Sequence, residues 1–219
     1  MNELASRQEI CRIGASLYAC GYVHASAGNI SVKLEDGSFL ITPTDACLGH
    51  LVASELAHVS AEGAQLSGAH ASKTLTLHRS IYVAAPHARC VIHTHATHLV
   101  SLTLQGVWHK ADIVPPITPY YVMKVGHVPL VAYQRPGAAA VATEVTAHIR
   151  NSTAQQKPIR AVMLERLGPV VWHQTPAEAS AVLEELEETA KLWLMSDRQA
   201  SALTQAQIDE LRETFHALW

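Results

Sequence analysis

The sequence predicts one α/β domain, with short strands in a mixed sheet and crossover helices on both of its faces. Two observations carry the prediction. Short period-two apolar runs alternate with longer amphipathic stretches of helical period, the order that arises when helices connect strands. The 219 residues, 48% of them hydrophobic, also suffice to bury a core without disulfide or metal staples. No repeat or linker separates a second domain, so residues 1–219 read as a single unit.

Residues 2–20 read as an amphipathic helix, with Leu4, Ile10, Ile13 and Leu17 near one face, Asn2 as N-cap and Gly21 just past the end. Residues 30–34 and 38–42 alternate around Glu35-Asp36-Gly37, where the Asp-Gly step supplies a hairpin turn. Short strands follow at 57–59 and 64–66, and a helix over 72–85 is stopped by Pro86. The run from Cys90 to His95 is β-rich and ends in polar groups, after which 97–105 continues as a helix up to Gly106. Next come a strand at 128–133, a Pro136-Gly137 break and a helix over 138–149. Strands at 160–164 and 169–173 lie close together around Gly168. Helices at 176–197 and 204–219 pack on the domain at its C-terminal end. Capping boxes announce both: Thr175 with Glu178, with Pro176 at the first helical position, and Thr204 with Gln207.

Composition removes several function classes. With 16 Lys+Arg against 19 Asp+Glu the formal charge is -3, which lacks the basic excess of a nucleic-acid binder. Apolar runs are broken by His, Thr or Pro short of the ~18 residues a membrane span needs, so no membrane partner is expected. Glu3 stands where a signal peptide would be basic, which predicts a cytoplasmic protein. Cys11, Cys20, Cys47 and Cys90 are too far apart in sequence for a C-x-x-C knuckle and read as reduced.

Histidine is over-represented, at 14 residues. At that frequency random placement yields roughly one H-x-H pair, so His93 and His95 need context. They stand two apart at the end of an apolar strand, which projects both imidazoles from one face toward a possible divalent ion. The plainer alternative is a pair of polar residues closing a strand. The loop Ser26-Ala27-Gly28-Asn29-Ile30-Ser31, with Thr42-Pro43-Thr44-Asp45 at the far end of the hairpin, has the small polar composition that lets N–H groups and hydroxyls converge on an anion, although most such loops are only turns. Ser72 and Lys73 add a hydroxyl and a cation at a helix start, the surroundings a phosphate favours; a solvated helix start is the commoner reading.

In combination the segments SAGNIS (26–31), TPTDACLG (42–49), LHRSIY (77–82), VIHTH (91–95), TPYYVMKVGHVPLVAYQRPG (118–137), LGPVV (167–171) and EELEETAKLWL (184–194) resemble the class II aldolase/adducin family of metal-dependent sugar-phosphate lyases and epimerases. The similarity is greatest to its branch that decarboxylates 3-oxo-tetronate 4-phosphates. The resemblance implies a three-layer α/β/α fold, a homotetramer, and a divalent ion, zinc or manganese, held by three histidines with a nearby glutamate. His93 and His95 match the first two histidines. Asn29, Thr44, Ser72 and Lys73 fall where the family binds phosphate, and Tyr120 where a tyrosine reaches a neighbouring subunit's site. The implied partner is a small sugar acid or sugar phosphate.

Three positions depart from the pattern. Thr74 stands at the family's glutamate, Leu167 at its third metal histidine, and Asp45 at a phosphate-loop glycine. Zinc takes three protein ligands even in open sites, so a substitute is needed. Glu165, two positions before Leu167, would share its face on a regular strand and is the candidate third ligand; His98 is a lesser one. An aldolase must move a proton at carbon, which a threonine hydroxyl does not do near neutral pH. Decarboxylation generates its enediolate by losing carbon dioxide and needs mainly electrophilic stabilisation and a proton donor, for which Tyr120 or metal-bound water is a candidate. The expectation is therefore a carbon–carbon lyase, with a catalytically silent family member, serving as a binding or oligomer-partner protein, as the alternative.

Overall fold

A computed structural model of the chain describes residues 2–219. Helix α1 (Glu3–Ala19) opens them, and Asn2 caps it as predicted, accepting from the Ala5 N–H at 2.8 Å. Eight strands follow in one sheet: β1 (Asn29–Lys33), β2 (Phe39–Ile41), β3 (Ala57–Val59), β4 (Gln65–Ser67), β5 (Cys90–His93), β6 (Leu130–Val131), β7 (Ala161–Leu164) and β8 (Gly168–His173). Their order is β4-β3-β2-β1-β5-β8-β7-β6. All neighbours run antiparallel except β6 and β7, so the sheet is mixed.

Alternation along the central strands feeds two cores. Ile30, Val32, Cys90, Ile92 and Val171 face α1, α3 (Thr97–Gln105) and α5 (Pro176–Met195). Phe39, Ile41, Val91, Val170 and Trp172 face α2 (Leu75–Ala84) and α4 (Ala139–Ala154). That is the three-layer α/β/α arrangement, and it buries the central strands on both sides. The last helix, α6 (Gln205–Phe215), lies outside these layers, where Ile208 packs on Val122. None of the four cysteines is in a disulfide, and no helix of the described residues is long and apolar enough to cross a membrane.

Several boundaries differ from the sequence reading for local reasons. The strand expected over 128–133 shrinks to β6: Pro129 has no N–H to pair, and the Tyr133 N–H turns to the Glu165 carboxylate at 2.8 Å. Helix α2 starts after Thr74, because Ser72 and Lys73 form a turn in which Leu75 N–H donates to the Ser72 carbonyl. Helix α6 keeps its predicted capping box but ends at Phe215, where His216 turns left-handed at φ 56°. The residues before β6 contain an unpredicted π-helical turn, Tyr121–Val125, closed by Gly126 N–H on the Tyr121 carbonyl.

Two glycines set the position of the chain at the end of β5. Gly28 sits at φ +83°, where a Cβ would lie 2.7 Å from the His93 carbonyl oxygen. Gly168, at φ +141°, approaches the Thr94 carbonyl so closely that no Cβ can be inserted. Both positions combine positive φ with backbone contact, so only glycine fits without moving the chain. Gly168→Ala is expected to lower stability by about 2–3 kcal/mol in urea unfolding; a loss under ~0.5 kcal/mol would contradict this packing.

Candidate active site

His93 is the last residue of β5 and His95 lies in the loop that leads to α3; their rings meet edge-on with centroids 5.1 Å apart. The His93 Nδ1 is 2.9 Å from the Pro169 carbonyl across the β5–β8 pair. A carbonyl only accepts, so Nδ1 carries the proton and Nε2 presents a lone pair. Burial holds the His93 pKa down to about 4, the His95 ring adds to the depression, and the Pro169 carbonyl opposes it. His95 is also shifted down, by burial and then by His24, whose ring lies 6.3 Å away. Two neutral imidazoles therefore stand side by side at neutral pH.

The predicted anion loops gather next to this pair. Asn29 is the cross-strand partner of His93 and is buried, with its Oδ1 lacking a hydrogen-bond partner. One residue on, Ile30 N–H donates to Thr42 Oγ1 at 3.2 Å, and Ser72 N–H reaches the Thr42 carbonyl at 3.3 Å. Thr44 spends its hydroxyl proton on the Ala71 carbonyl at 3.0 Å. Ser72 Oγ is 2.8 Å from Thr74 Oγ1, so the threonine at the family's glutamate position occupies that hydroxyl. Lys73 is exposed at the same turn. Asp45 adopts φ 58°, the left-handed region natural to the glycine it replaces, and its side chain is exposed.

Other predicted participants are placed elsewhere. Glu165 and Leu167 occupy the three-residue turn between β7 and β8, so strand alternation does not put them on one face. Glu165 instead caps the Tyr133 N–H, and Leu167 packs into the α2/α4-side core. His98 is held by buried Glu187, which accepts from the His98 ring at 2.8 Å and from the His98 and Leu99 N–H groups at the start of α3. Tyr120 is 59% exposed, and among the described residues no hydrogen bond or ring contact joins it to His93 or His95.

These positions decide the fit of a metal. The free Nε2 of His93 and its tethered Nδ1 are what a ligand imidazole needs. Among the described residues, however, no group of three or more His, Cys, Asp or Glu side chains could hold an ion. The donor set therefore does not fit a three-ligand centre.

Beneath the pair lies a buried polar strip that sequence reading missed. His78 Nδ1 is 2.8 Å from Ser31 Oγ, which is 2.8 Å from the Tyr82 hydroxyl; that hydroxyl donates to the Ser31 carbonyl at 2.9 Å. Passing each proton once leaves His78 Nδ1 as donor and Nε2 as an unpartnered buried acceptor. The available signal was His78 and Tyr82, four apart on the apolar face of a predicted helix. His24, beside His95, carried no such signal.

The family model for the class II aldolase and adducin N-terminal domain matches residues 8–194. The chain belongs to this family. A protein of Cupriavidus necator named 3-oxo-tetronate 4-phosphate decarboxylase is 55% identical over 218 residues, covering 97% of each chain. The Escherichia coli protein of that name is 40% identical, covering 96% of each. The crystal structure of YgbL from Klebsiella pneumoniae superposes with a TM-score of 0.88 at 40% identity, covering 97% of this chain and 100% of that one. An L-fuculose 1-phosphate aldolase at 21% identity shares the fold, with a TM-score of 0.80 over 97% of this class II aldolase-family chain. The family is in general dependent on divalent metal ions.

The buried imidazoles predict a pH response. Burial, with His93 nearby, pushes the His78 pKa down to about 3. The unfolded chain then takes up protons first, so this contribution to stability is complete above about pH 6.5 and is lost as pH falls toward 3. The loss is on the order of a few kcal/mol. Urea midpoints of the parent should drop more steeply between pH 7 and about 4.5 than those of His78→Asn; parallel profiles would contradict the assignment.

Proposed function

We propose that this chain is a carbon–carbon lyase that decarboxylates a short keto sugar acid bearing a terminal phosphate, of the 3-oxo-tetronate 4-phosphate type. The observation that carries the reading is the 55% identity over 97% of both chains to a relative of that name. The same correspondence gives no support to a silent binding protein. The activity is assigned to the cytoplasm and to a homotetramer, in which Tyr120 would serve a neighbouring copy's site.

The chemistry suits the residues present. Loss of carbon dioxide from a β-keto acid breaks a carbon–carbon bond and leaves its electrons in an enolate, without a base removing a proton from carbon. Thr74 in place of a carboxylate is then compatible with the bond-breaking step. The phosphate end is assigned to Asn29, Thr44, Ser72 and Lys73, where Lys73 brings the positive charge. Thr44 contributes position rather than a proton, because its hydroxyl donates to Ala71. His93 and His95 face the reacting end as neutral acceptors that orient the substrate hydroxyl, and the exposed phenol of a neighbouring copy's Tyr120 supplies the proton taken up at carbon. Zinc or manganese bound by this chain would have His93 and His95 as its protein ligands, with Glu165 outside the set.

Carbon dioxide release from 3-oxo-tetronate 4-phosphate tests the assignment. His93→Ala should reduce kcat at least ~100-fold, and Lys73→Ala should raise KM about tenfold with little change in kcat. No release above background by the parent, or full turnover by His93→Ala, would overturn it. Metal analysis of untagged protein after dialysis should give well under one ion per chain in the parent and in Glu165→Ala, and near one in the Thr74→Glu, Leu167→His double variant. A parent that keeps a full equivalent, and loses it in Glu165→Ala, would contradict the ligand set.

A further inference from the structure

Helix α3 begins two residues after His95 without a cap of its own. Ala96 holds the N-cap position at ψ 127°, and its side chain has no acceptor to offer. The first N–H groups of a helix have no partner inside it, so a buried start needs an acceptor from elsewhere. Glu187, from α5 and only 2% exposed, is that acceptor. Its Oε1 accepts from the His98 N–H and from the His98 ring Nδ1, both at 2.8 Å, and its Oε2 from the Leu99 N–H at 3.0 Å. We infer that Glu187 is a positioning residue for the lyase: by gripping the first turn of α3 it fixes the loop that carries His95, and so the placement of that ring beside His93. The inference rests on the reading above, in which these two rings orient the substrate.

The loop has little else to hold it. The Thr94 N–H reaches the Pro169 carbonyl at 3.3 Å, but the Thr94 hydroxyl is buried without a partner. Among the described residues His95 makes ring contacts with His93 and His24, and no hydrogen bond holds its ring or its N–H. Its position is therefore inherited from the two ends of the loop, the strand pressed by Gly168 before it and the capped turn after it.

The grip is stiff at its other end as well. Leu183 and Ala190, one turn to either side of Glu187 on α5, are fully buried, so the carboxylate projects from the face of α5 that packs on β5 and α3. A carboxylate at a helix N-terminus is favoured by the helix dipole, and hydrogen bonds to an ionised acceptor are stronger than those between neutral groups. Glutamine has the same shape but only one oxygen. Its –NH2 would face a donor, so either the His98 or the Leu99 N–H would lose its acceptor and the turn would have to move. Aspartate keeps the charge but is one methylene too short to take both N–H groups from the same backbone position.

Glu187→Gln and Glu187→Asp are compared with Ile149→Val, which loosens the core on the opposite face of the sheet. All three should melt several degrees below the parent. In nitrogen-15 NMR at pH 7 both Glu187 variants should move the His95 imidazole signals and leave those of His58, on β3, in place, while Ile149→Val should move neither. In carbon dioxide release both should lower kcat about tenfold with KM within about twofold of the parent, and Ile149→Val should change neither constant by more than about twofold. If the Glu187 variants do not fold, amide exchange in the parent decides: the His98 and Leu99 N–H groups should be protected at least ~100-fold more than the Thr97 N–H, and equal exchange would overturn the inference. It is also overturned if the His95 signals stay in place, if Ile149→Val moves them as far, if kcat is unchanged, or if Glu187→Asp behaves as the parent does, which would assign the effect to charge alone. A parent that releases no carbon dioxide overturns the lyase reading instead, and the NMR comparison still decides whether Glu187 places His95.

Discussion

Everything at the candidate site depends on how the backbone is clamped at the end of β5. Gly28 presses on the His93 carbonyl from the β1 side and Gly168 on the Thr94 carbonyl from the β8 side, while His93 Nδ1 is tied to Pro169. Close packing of three backbone segments leaves the His93 ring one orientation and one protonation pattern. His95 follows because it is two residues further along the same clamped segment. Burial then keeps both rings neutral, the form in which an imidazole nitrogen can act as an acceptor or a ligand.

The loops proposed to receive substrate are positioned by the same sheet. Asn29 is across from His93, Thr42 bridges Ile30 to Ser72, and the turn holding Lys73 rests on that bridge. At two of the positions that depart from the family pattern, Thr74 pairs with Ser72 and Leu167 joins the core. A scaffold that keeps its geometry while losing two donors favours a reaction in which bond cleavage needs no carboxylate base, which is how the decarboxylase reading and the departures fit together.

Much of the fold was legible from local chemistry. The caps at Asn2, Thr175 and Thr204 are all made, and the alternation of β1, β5 and β8 sends their residues to the two faces as the pattern required. The shortened β6 was not legible, because it depends on Glu165, a partner far from Tyr133 in sequence, and the π-helical turn at Tyr121–Val125 carries no signal in the residue pattern. At the site, the adjacency of His93 and His95 followed from strand geometry. The place of Glu165 did not: period-two alternation was applied across residues that form a turn, and the Tyr133 N–H was a competitor invisible to it. The Ser31–His78–Tyr82 strip shows the same limit, since its polar groups meet only where α2 packs on β1.

The claim beneath the account is that the backbone holds His93 with its proton on Nδ1 and its Nε2 free. Nitrogen-15 NMR of the imidazoles at pH 7 reports this directly. The account predicts for His93 a neutral ring with a protonated Nδ1 and an Nε2 shift of an unprotonated nitrogen, retained down to near its depressed pKa of about 4. A proton on Nε2, or a ring already charged at pH 6, would contradict it.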